Sequence, residues 1–124
     1  MRELKFRIWN GFQFITKSEV YIKACNGSLW DYDDGKLWSA TAIIQQYTGL
    51  NDKNGKEIYE GDLINYTYLA GEGDYQKETN QEVFFEDGMF LFGRNDLFCM
   101  ADSNFLKQSL EVVGNIFENK ELVK

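Results

Sequence analysis

Two pairs of neighbouring carboxylates are the candidates for acid–base catalysis or metal binding in this sequence. Glu60 and Asp62 stand on either side of a glycine, and Glu86 and Asp87 directly precede another. Two acids can act as general acid and general base, or bind a divalent metal, when their surroundings push their pKa values apart. Both pairs also lie beside predicted turns, where carboxylates are ordinarily solvated and accept local backbone hydrogen bonds. The sequence therefore leaves two interpretations open, a hydrolase or divalent-metal site and a pair of structural turns.

The residue types that the chain lacks exclude several other catalytic mechanisms. Its 124 residues include no histidine, which removes the commonest general base and metal ligand. Ser-His-Asp and Cys-His nucleophile arrangements are therefore impossible. Cys25 and Cys99 are the two cysteines. They cannot complete a zinc site without histidine, and we expect both to be reduced and at least half-buried. We accordingly expect no metal and no cofactor, and we assign no catalytic residue.

A calcium-binding loop can be tested directly against the segment around Asn54-Gly55. When Gly55 is placed at the sixth position of an EF-hand loop, Asp52 and Asn54 fall on ligand positions. The first and the last ligand positions then fall on Leu50 and Gly61, which offer no side-chain oxygen. The match fails. The segment is better explained as a tight hairpin turn, because an Asn-Gly pair tolerates positive φ at both central positions.

Tight-turn dipeptides of this kind divide the chain into short segments. Pairs of Asn or Asp with Gly begin at Asn10, Asn26, Asp34, Asn54 and Asp87. They predict antiparallel hairpins rather than βαβ units, which need long helical crossovers. Aromatic residues make up 16% of the chain, and their flat side chains pack well on pleated surfaces. We therefore predict a mainly β fold.

The first segment alternates between polar and apolar residues as a half-buried strand does. Leu4, Phe6 and Ile8 are predicted to share its buried face, with charged residues on the other face. Trp9 and Phe12 flank the first turn and are predicted to form a cross-strand aromatic pair.

Later segments carry similar signals. Apolar residues on both sides of Asp87-Gly88 predict a hairpin, and the alternation over residues 110–116 predicts a last strand. Residues 70–80 are polar and without periodicity, so we predict an exposed, mobile loop between two strands. One or two short helices are expected, one with an N-cap at Ser103 and a final turn capped by Asn119.

Tyrosines offer a different kind of site, a surface for protein interaction. Five of them could line a groove like the peptide-binding groove of signalling SH3 domains, or could simply pack in the core and along sheet edges. These five are Tyr47, Tyr59, Tyr66, Tyr68 and Tyr75. From two of them and the first carboxylate pair we select a candidate interaction surface. It consists of Tyr47, Tyr59, Glu60 and Asp62.

The formal net charge of −7 constrains the partners. It argues against conventional nucleic-acid binding, which needs basic groups to displace counterions from phosphates, and against anionic membrane surfaces. It favours solubility and would also suit a basic host protein as a partner. A DNA mimic would need carboxylates spaced along one face, which the sequence does not reveal. Nucleic acid and membrane are therefore not expected as partners.

The chain is predicted to be a single domain over residues 1–124, because it contains no linker, repeat or low-complexity tract. Its N-terminal third could pack as part of a barrel or as a separate lobe. No segment has the apolar core of a signal peptide or approaches the roughly 18 apolar residues of a membrane span. We expect a cytoplasmic location.

Three segments resemble one known family. Residues 46–64, which contain the Asn54-Gly55 turn, resemble the signature of YopX-like proteins encoded by phages and prophages of low-GC Gram-positive bacteria. Residues 2–9 resemble the opening strand of that family, and residues 110–119 resemble its closing motif. The resemblance implies a phage origin and a small β domain, an SH3-type barrel built of antiparallel hairpins. It implies no established activity, so no catalytic residue is carried over.

Two hypotheses of function follow. The first is a non-enzymatic interaction or self-assembling module, encoded by a phage or prophage, that binds itself as a homo-oligomer or binds a host or phage protein. The absence of proline, which removes one means of blunting sheet edges, favours self-association. The alternative is a divalent-metal-dependent accessory enzyme that uses the acidic residues near Gly61 and Gly88.

Overall fold

Antiparallel strands hold most of the residues that the structure describes. A computed structural model describes residues 4–15, 20–22, 29–31, 42–71, 73–86, 88–92, 98–99 and 109–123. The strands are β1 (Phe6–Trp9), β2 (Phe14–Ile15), β3 (Val20–Ile22), β4 (Leu29–Asp31), β5 (Ile43–Asn51), β6 (Glu57–Tyr59), β7 (Asp62–Gly71), β8 (Asp74–Glu82), β9 (Phe84–Glu86), β10 (Met89–Phe92), β11 (Phe98–Cys99) and β12 (Glu111–Asn115). A 3-10 helix, Lys120–Leu122, follows β12. The predicted mainly β class is confirmed.

The chain divides into two compact units, one formed by residues 6–45 and the other by residues 1–5 with 46–124. The prediction of a single domain stays a prediction. In the first unit, β1 pairs with β2 and β3 pairs with β4, both antiparallel. The Arg7 guanidinium lies 4.2 Å from the ring centroid of Phe14. Its Nε donates a hydrogen bond to Gln45 Oε1 (2.8 Å).

The burial predicted for the first strand is only partly right. Ile8 is 8% exposed, whereas Leu4 is 59% and Phe6 45% exposed. Alternation identifies the apolar face of a strand, but it does not say where another element covers that face.

The first hairpin turn is longer than its Asn-Gly pair suggests. Trp9 pairs with Phe14, with ring centroids 5.0 Å apart, and not with Phe12, which is 89% exposed. Asn10 Oδ1 accepts the N–H groups of Phe12 (2.8 Å) and Gln13 (2.9 Å). This side-chain cap holds a four-residue connection, which moves the aromatic partner of Trp9 two positions along the chain.

The core of the second unit lies around β7. This strand is central in the sheet β12-β7-β8, and both of its pairings are antiparallel. The Tyr66 and Phe92 rings meet edge to face, 4.7 Å apart. The buried cluster consists of Ile58, Ile64, Tyr66, Val83, Phe92 and Leu110. Complete burial of one such side chain contributes about 1.5–3 kcal/mol, so this cluster is the main source of stability in the unit.

The prediction of an exposed, mobile loop over residues 70–80 is wrong. β7 and β8 continue through this segment as a long hairpin, with Leu69 opposite Tyr75 and Gly71 opposite Asp74. The first residues of β8, 74–77, are exposed. Where a strand buries neither face it shows no hydrophobic alternation, so residues 74–77 resemble a loop in sequence although their backbone pairs with β7.

The predicted hairpin across Asp87-Gly88 is confirmed. β9 pairs with β10, and Gly88 has a positive φ of 78°. With β11 these strands form the sheet β11-β10-β9. The sheets of the described residues do not close into a barrel, so the SH3-type barrel is not confirmed and stays a prediction.

Of the predictions for the C-terminal residues, the last strand and the final short helix are confirmed, and the cap by Asn119 is wrong. β12 confirms the last strand, and the 3-10 helix confirms a short final helix. Asn119 precedes this helix but gives it no side-chain cap, and its Oδ1 instead accepts the Asn115 N–H (3.2 Å). The helix expected after Ser103 and the side chains of Cys25 and Cys99 lie outside the described residues.

Candidate functional site

The β5–β6 hairpin and its bend into β7 bring together the four residues of the candidate interaction surface. Tyr47 and Tyr59 lie directly opposite each other, with ring centroids 5.6 Å apart. Glu60 Oε1 accepts the Gln46 N–H (2.9 Å), and the Glu60 N–H is donated to Gln46 O (3.0 Å). Asp62 Oδ2 accepts the Tyr59 N–H (2.8 Å). All four residues therefore belong to one structural element.

The turn at Asn54-Gly55 has the predicted position but a different geometry. The Asp52 N–H is donated to Lys56 O (2.7 Å), and the Gly55 N–H is donated to Asp52 O (3.0 Å). Of the Asn-Gly pair only Gly55 has a positive φ, 83°. Three residues, 53–55, therefore form the loop, which is the arrangement of a type I turn followed by a left-handed glycine.

Asp52 organises this loop. Its Oδ1 accepts the N–H groups of Asn54 and Lys56, both at 2.9 Å, and its Oδ2 accepts the N–H of Val112 at 3.0 Å. The residue is 7% exposed. Burial alone would raise the pKa of the Asp52 carboxyl, but the three N–H donors and the Lys56 ammonium hold this pKa below its ordinary value of 3.8. The carboxylate is therefore stabilised in its ionised form.

The same loop is joined to the start of β12. The Lys53 N–H is donated to Leu110 O (2.8 Å), and Lys53 Nζ lies 3.2 Å from Glu111 Oε2. Together with the bond from Asp52 to Val112, these contacts connect residues that are almost 60 positions apart in the chain. This role of Asp52 was not predicted from the sequence, where the segment was compared only with a calcium-binding loop and a tight hairpin turn. An Asp followed three residues later by Gly was the available signal, since it is typical of side-chain-capped turns.

The two tyrosines differ in what they present. Tyr47 is buried, and its hydroxyl donates to Asn51 Oδ1 (2.6 Å). Lys5 Nζ lies 5.5 Å from the Tyr47 ring centroid and forms an ion pair with Glu57. Tyr59 is half-buried, and its hydroxyl lies 3.4 Å from Glu57 Oε1. The ring of Tyr59 is therefore partly accessible to a binding partner, whereas the buried ring of Tyr47 packs beneath it.

The carboxylates at this site accept backbone hydrogen bonds. Asp62 is 2% exposed and closes the bend between β6 and β7, while Glu60 is half-buried and ties that bend to β5. Within the described parts of the chain, no three metal-ligating side chains cluster together. Glu86 is exposed on β9, and Asp87 lies outside the described residues. The interaction surface stays a prediction, and Tyr59 with Glu60 is its accessible part.

The structure does not place the five tyrosines along one groove. Tyr66 is buried in the core, and Tyr68 packs against it. Tyr75 is exposed on β8. The groove hypothesis is therefore wrong for this set, because strand alternation and distance divide the tyrosines among the core, the β5–β6 hairpin and the edge strand β8.

Buried polar side chains elsewhere also close turns. Asn115 Oδ1 accepts the N–H groups of Phe117 (3.0 Å) and Glu118 (2.8 Å), and its Nδ2 donates to Glu118 Oε1 (2.8 Å). In the described residues, every buried side-chain nitrogen or oxygen has a hydrogen-bond partner. Asn115 gives no signal in the sequence, because its role depends on the turn that follows β12. None of the helices described is long and apolar enough to span a membrane.

Comparisons with known proteins agree with this fold. The family model described as YopX protein matches residues 3–124. Protein EF1440 from Enterococcus faecalis is similar with a TM-score of 0.68 and 24% identity, over 100% of both chains. Protein yopX from Bacillus subtilis is similar with a TM-score of 0.61 and 22% identity, over 100% of this chain and 98% of that one. These two likenesses support the fold alone. No curated protein matches the chain.

Proposed function

The chain belongs to the YopX family, and on that premise we propose that it is a non-enzymatic protein-interaction module encoded by a phage or prophage. It acts in the cytoplasm of the bacterial host, where it binds itself or a host or phage protein. The surface through which it binds contains Tyr59 and Glu60.

One observation carries this proposal: the carboxylates of Glu60 and Asp62 accept backbone hydrogen bonds within their own hairpin. A catalytic or metal-binding pair must direct carboxylate oxygens at a substrate or an ion. Asp62 instead directs Oδ2 at the Tyr59 N–H, and Glu60 directs Oε1 at the Gln46 N–H. A carboxylate that closes a turn in this way supports structure, which favours a binding role for the surface that the turn displays.

The surroundings of Tyr59 suit a binding surface. Its ring packs at a tilt of 42° against the buried Tyr47, whose hydroxyl donates to Asn51 Oδ1. A rigid, half-exposed tyrosine contributes contact area at low entropic cost, and such residues are enriched among those that dominate binding energy. Glu60 adds a negative charge beside it, and the net charge of −7 favours association with a basic partner.

The proposal is tested by affinity capture of the tagged protein from lysate of a phage-infected Gram-positive host, followed by mass spectrometry. A single abundant host or phage protein recovered with the bait is the expected result for a hetero-interaction. Size-exclusion chromatography with light scattering tests self-association in parallel. Recovery of the bait alone, together with a species of 14.5 kDa only, would contradict the proposal.

Three matched variants locate the surface. Tyr59→Ser removes the ring, and Glu60→Gln removes the charge while it keeps an oxygen that can accept the Gln46 N–H. Glu121→Gln makes the same charge change at an exposed position of the 3-10 helix and serves as the control. We expect the first two variants to lose the partner, or the oligomer, and the control to retain it. Tm should be unchanged in Glu60→Gln and lowered in Tyr59→Ser, because the Tyr59 ring packs against Tyr47 across the strand pair.

The alternative hypothesis, a divalent-metal-dependent accessory enzyme, is tested by a thermal-shift assay. A ligand that binds only the native state raises Tm by mass action. A rise in Tm with Mg²⁺, Mn²⁺ or Ca²⁺ that is absent in Asp62→Asn would support an accessory enzyme and would contradict the binding module. We expect unchanged Tm values with all three ions.

A further inference from the structure

The first hairpin turn combines a reactive dipeptide with an arrangement of hydrogen bonds that favours its reaction. We propose that Asn10 is a site of spontaneous covalent modification, at which the amide nitrogen of Gly11 displaces ammonia from the Asn10 side chain and forms a succinimide. This inference is independent of the proposed binding function.

The nucleophile at this site is sterically accessible. Gly11 has no Cβ, and it is exposed, with a φ of 103°. A Cβ built at this glycine would meet no atom within 4 Å, so the surrounding turn leaves open space on that side. A residue with a side chain would shield the amide nitrogen, which is why glycine is the most reactive follower of asparagine.

The electrophile is held by two donors. In the addition step, negative charge develops on Asn10 Oδ1. This atom already accepts the N–H groups of Phe12 (2.8 Å) and Gln13 (2.9 Å). The two N–H groups converge on this oxygen before the reaction, and the oxyanion forms on the same atom. Both donors therefore remain close to the developing negative charge and stabilise it.

The reaction balances with water as the only co-reactant. Hydroxide removes the proton of the Gly11 N–H, and the nitrogen lone pair forms a bond to Asn10 Cγ. The Cγ–Nδ2 bond then breaks, and the leaving nitrogen takes a proton from water and departs as ammonia. Addition of water to either succinimide carbonyl gives aspartate or isoaspartate. The net change is one water consumed and one ammonia released for each asparagine.

Asn54-Gly55 is an internal control with the same dipeptide. Here the Gly55 N–H is donated to Asp52 O (3.0 Å), so the proton that must be lost is held in a hydrogen bond. The Asp52 carboxylate also accepts the Asn54 N–H (2.9 Å). Its negative charge opposes formation of an amide anion at the next residue. The fold therefore protects this pair.

Asn115 is a second internal control, with the same donors and a different follower. Its Oδ1 accepts two N–H groups at 3.0 and 2.8 Å, as Asn10 Oδ1 does. The residue that follows is Ile116, whose branched side chain shields the nitrogen and whose N–H is donated to Gly61 O (2.9 Å), and Asn115 itself is buried. Asn115 therefore tests whether two donors to Oδ1 are sufficient when the nucleophile is both shielded and hydrogen-bonded.

Modification would change the first turn of the 6–45 unit. Aspartate at position 10 adds a negative charge to a chain that already carries −7. Isoaspartate inserts a methylene into the backbone and shortens the side chain, so that its oxygen no longer reaches both N–H groups. The pairing of Trp9 with Phe14, which this turn sets, is then weakened.

The test is peptide mapping of the full chain after incubation at neutral and at mildly alkaline pH. Deamidation is read from the mass difference between carboxamide and acid, and isoaspartate from enzymatic methylation. We expect Asn10 to react at least about tenfold faster than Asn54, a smaller factor than the 10²–10³ of one enzymatic oxyanion donor, because this turn is exposed to solvent. Asn115 should remain unmodified, and the rate at Asn10 should rise with pH.

Denaturant and two variants make the proposal refutable. In urea the turn is absent, so Asn10 and Asn54 should react at similar rates. Asn10→Gln should abolish the modification, and Phe12→Pro, which removes one donor, should slow it several-fold. Equal rates at Asn10 and Asn54 in the native protein would overturn the proposal. So would a rate ratio that urea leaves unchanged, an outcome that needs no variant to fold.

Discussion

Removal of the Asp52 carboxylate should release the β5–β6 loop from β12. The substitution Asp52→Ala deletes the acceptor of three backbone N–H groups, those of Asn54, Lys56 and Val112. Each hydrogen bond to a charged group contributes about 1.5–3 kcal/mol, but water can replace the acceptor at the exposed loop. The Val112 N–H, between β12 and the loop, has the least access to water. We therefore expect a loss of about 3–4 kcal/mol in the free energy of unfolding.

The variant Asp52→Asn separates the contribution of the charge and of the Val112 hydrogen bond from that of the two hydrogen bonds within the loop. Its carbonyl oxygen can still accept the Asn54 and Lys56 N–H groups, but its NH₂ group then faces the Val112 N–H, donor against donor. The charge is lost as well. We expect a cost of about 2–3 kcal/mol, less than for alanine, because one of three bonds is lost and the other two become neutral but are kept.

The assay must report on the correct unit. Trp9, Trp30 and Trp38 are the three tryptophans, and all lie in the unit of residues 6–45, so tryptophan fluorescence would report mainly on that unit. Urea unfolding followed by far-UV circular dichroism, with hydrogen exchange at the Val112 amide, measures the change where it occurs. Asp74→Ala, the same substitution at an exposed carboxylate, is the control and should leave the midpoint unchanged.

The stabilisation by Asp52 depends on pH in a defined direction. The folded pKa lies below the ordinary value of 3.8, so the stabilisation is complete above that value. It is lost as pH falls through the folded pKa. The difference in stability between wild type and Asp52→Ala should therefore be constant from neutral pH down to about 5 and should shrink below 3.8. A cost below about 0.5 kcal/mol, or a difference that persists undiminished in acid, would refute this account.

Two further predictions concern packing in the same unit. Gly114→Ala would place a Cβ 2.6 Å from Asn119 Oδ1 and displace that side chain from the Asn115 N–H, at a cost of about 1–2 kcal/mol in urea unfolding. If the double variant with Asn119→Ala loses the full sum of the single effects, the clash is not the cause. Phe92→Ala would open a cavity beside Tyr66 and cost about 3–5 kcal/mol by the same measurement, whereas Phe85→Ala, at an exposed ring, should cost far less. Equal losses would contradict the placement of the core.

The position of the candidate site along the chain could be predicted from the sequence. The Asn54-Gly55 pair located a hairpin, and the segment around it carries the resemblance to the YopX family that the match over residues 3–124 confirms. The exposure of Tyr59 and the burial of Tyr47 and Asp62 could not be predicted. These residues occupy alternating or turn positions, and only the elements packed around them decide which side chains reach the surface.

Local sequence patterns were sufficient to predict the mainly β class, the hairpin at Asp87-Gly88 and the last strand, because turn preference and strand alternation depend on neighbouring residues. Contacts between distant segments determine that Leu4 and Phe6 are exposed, that β8 is a strand, and that Asp52 accepts a hydrogen bond from Val112. Burial and long-range hydrogen bonds are properties of pairs of elements. Residues 60 positions apart in the chain leave no local pattern of their contact, since the contact exists only after the loop and β12 have folded.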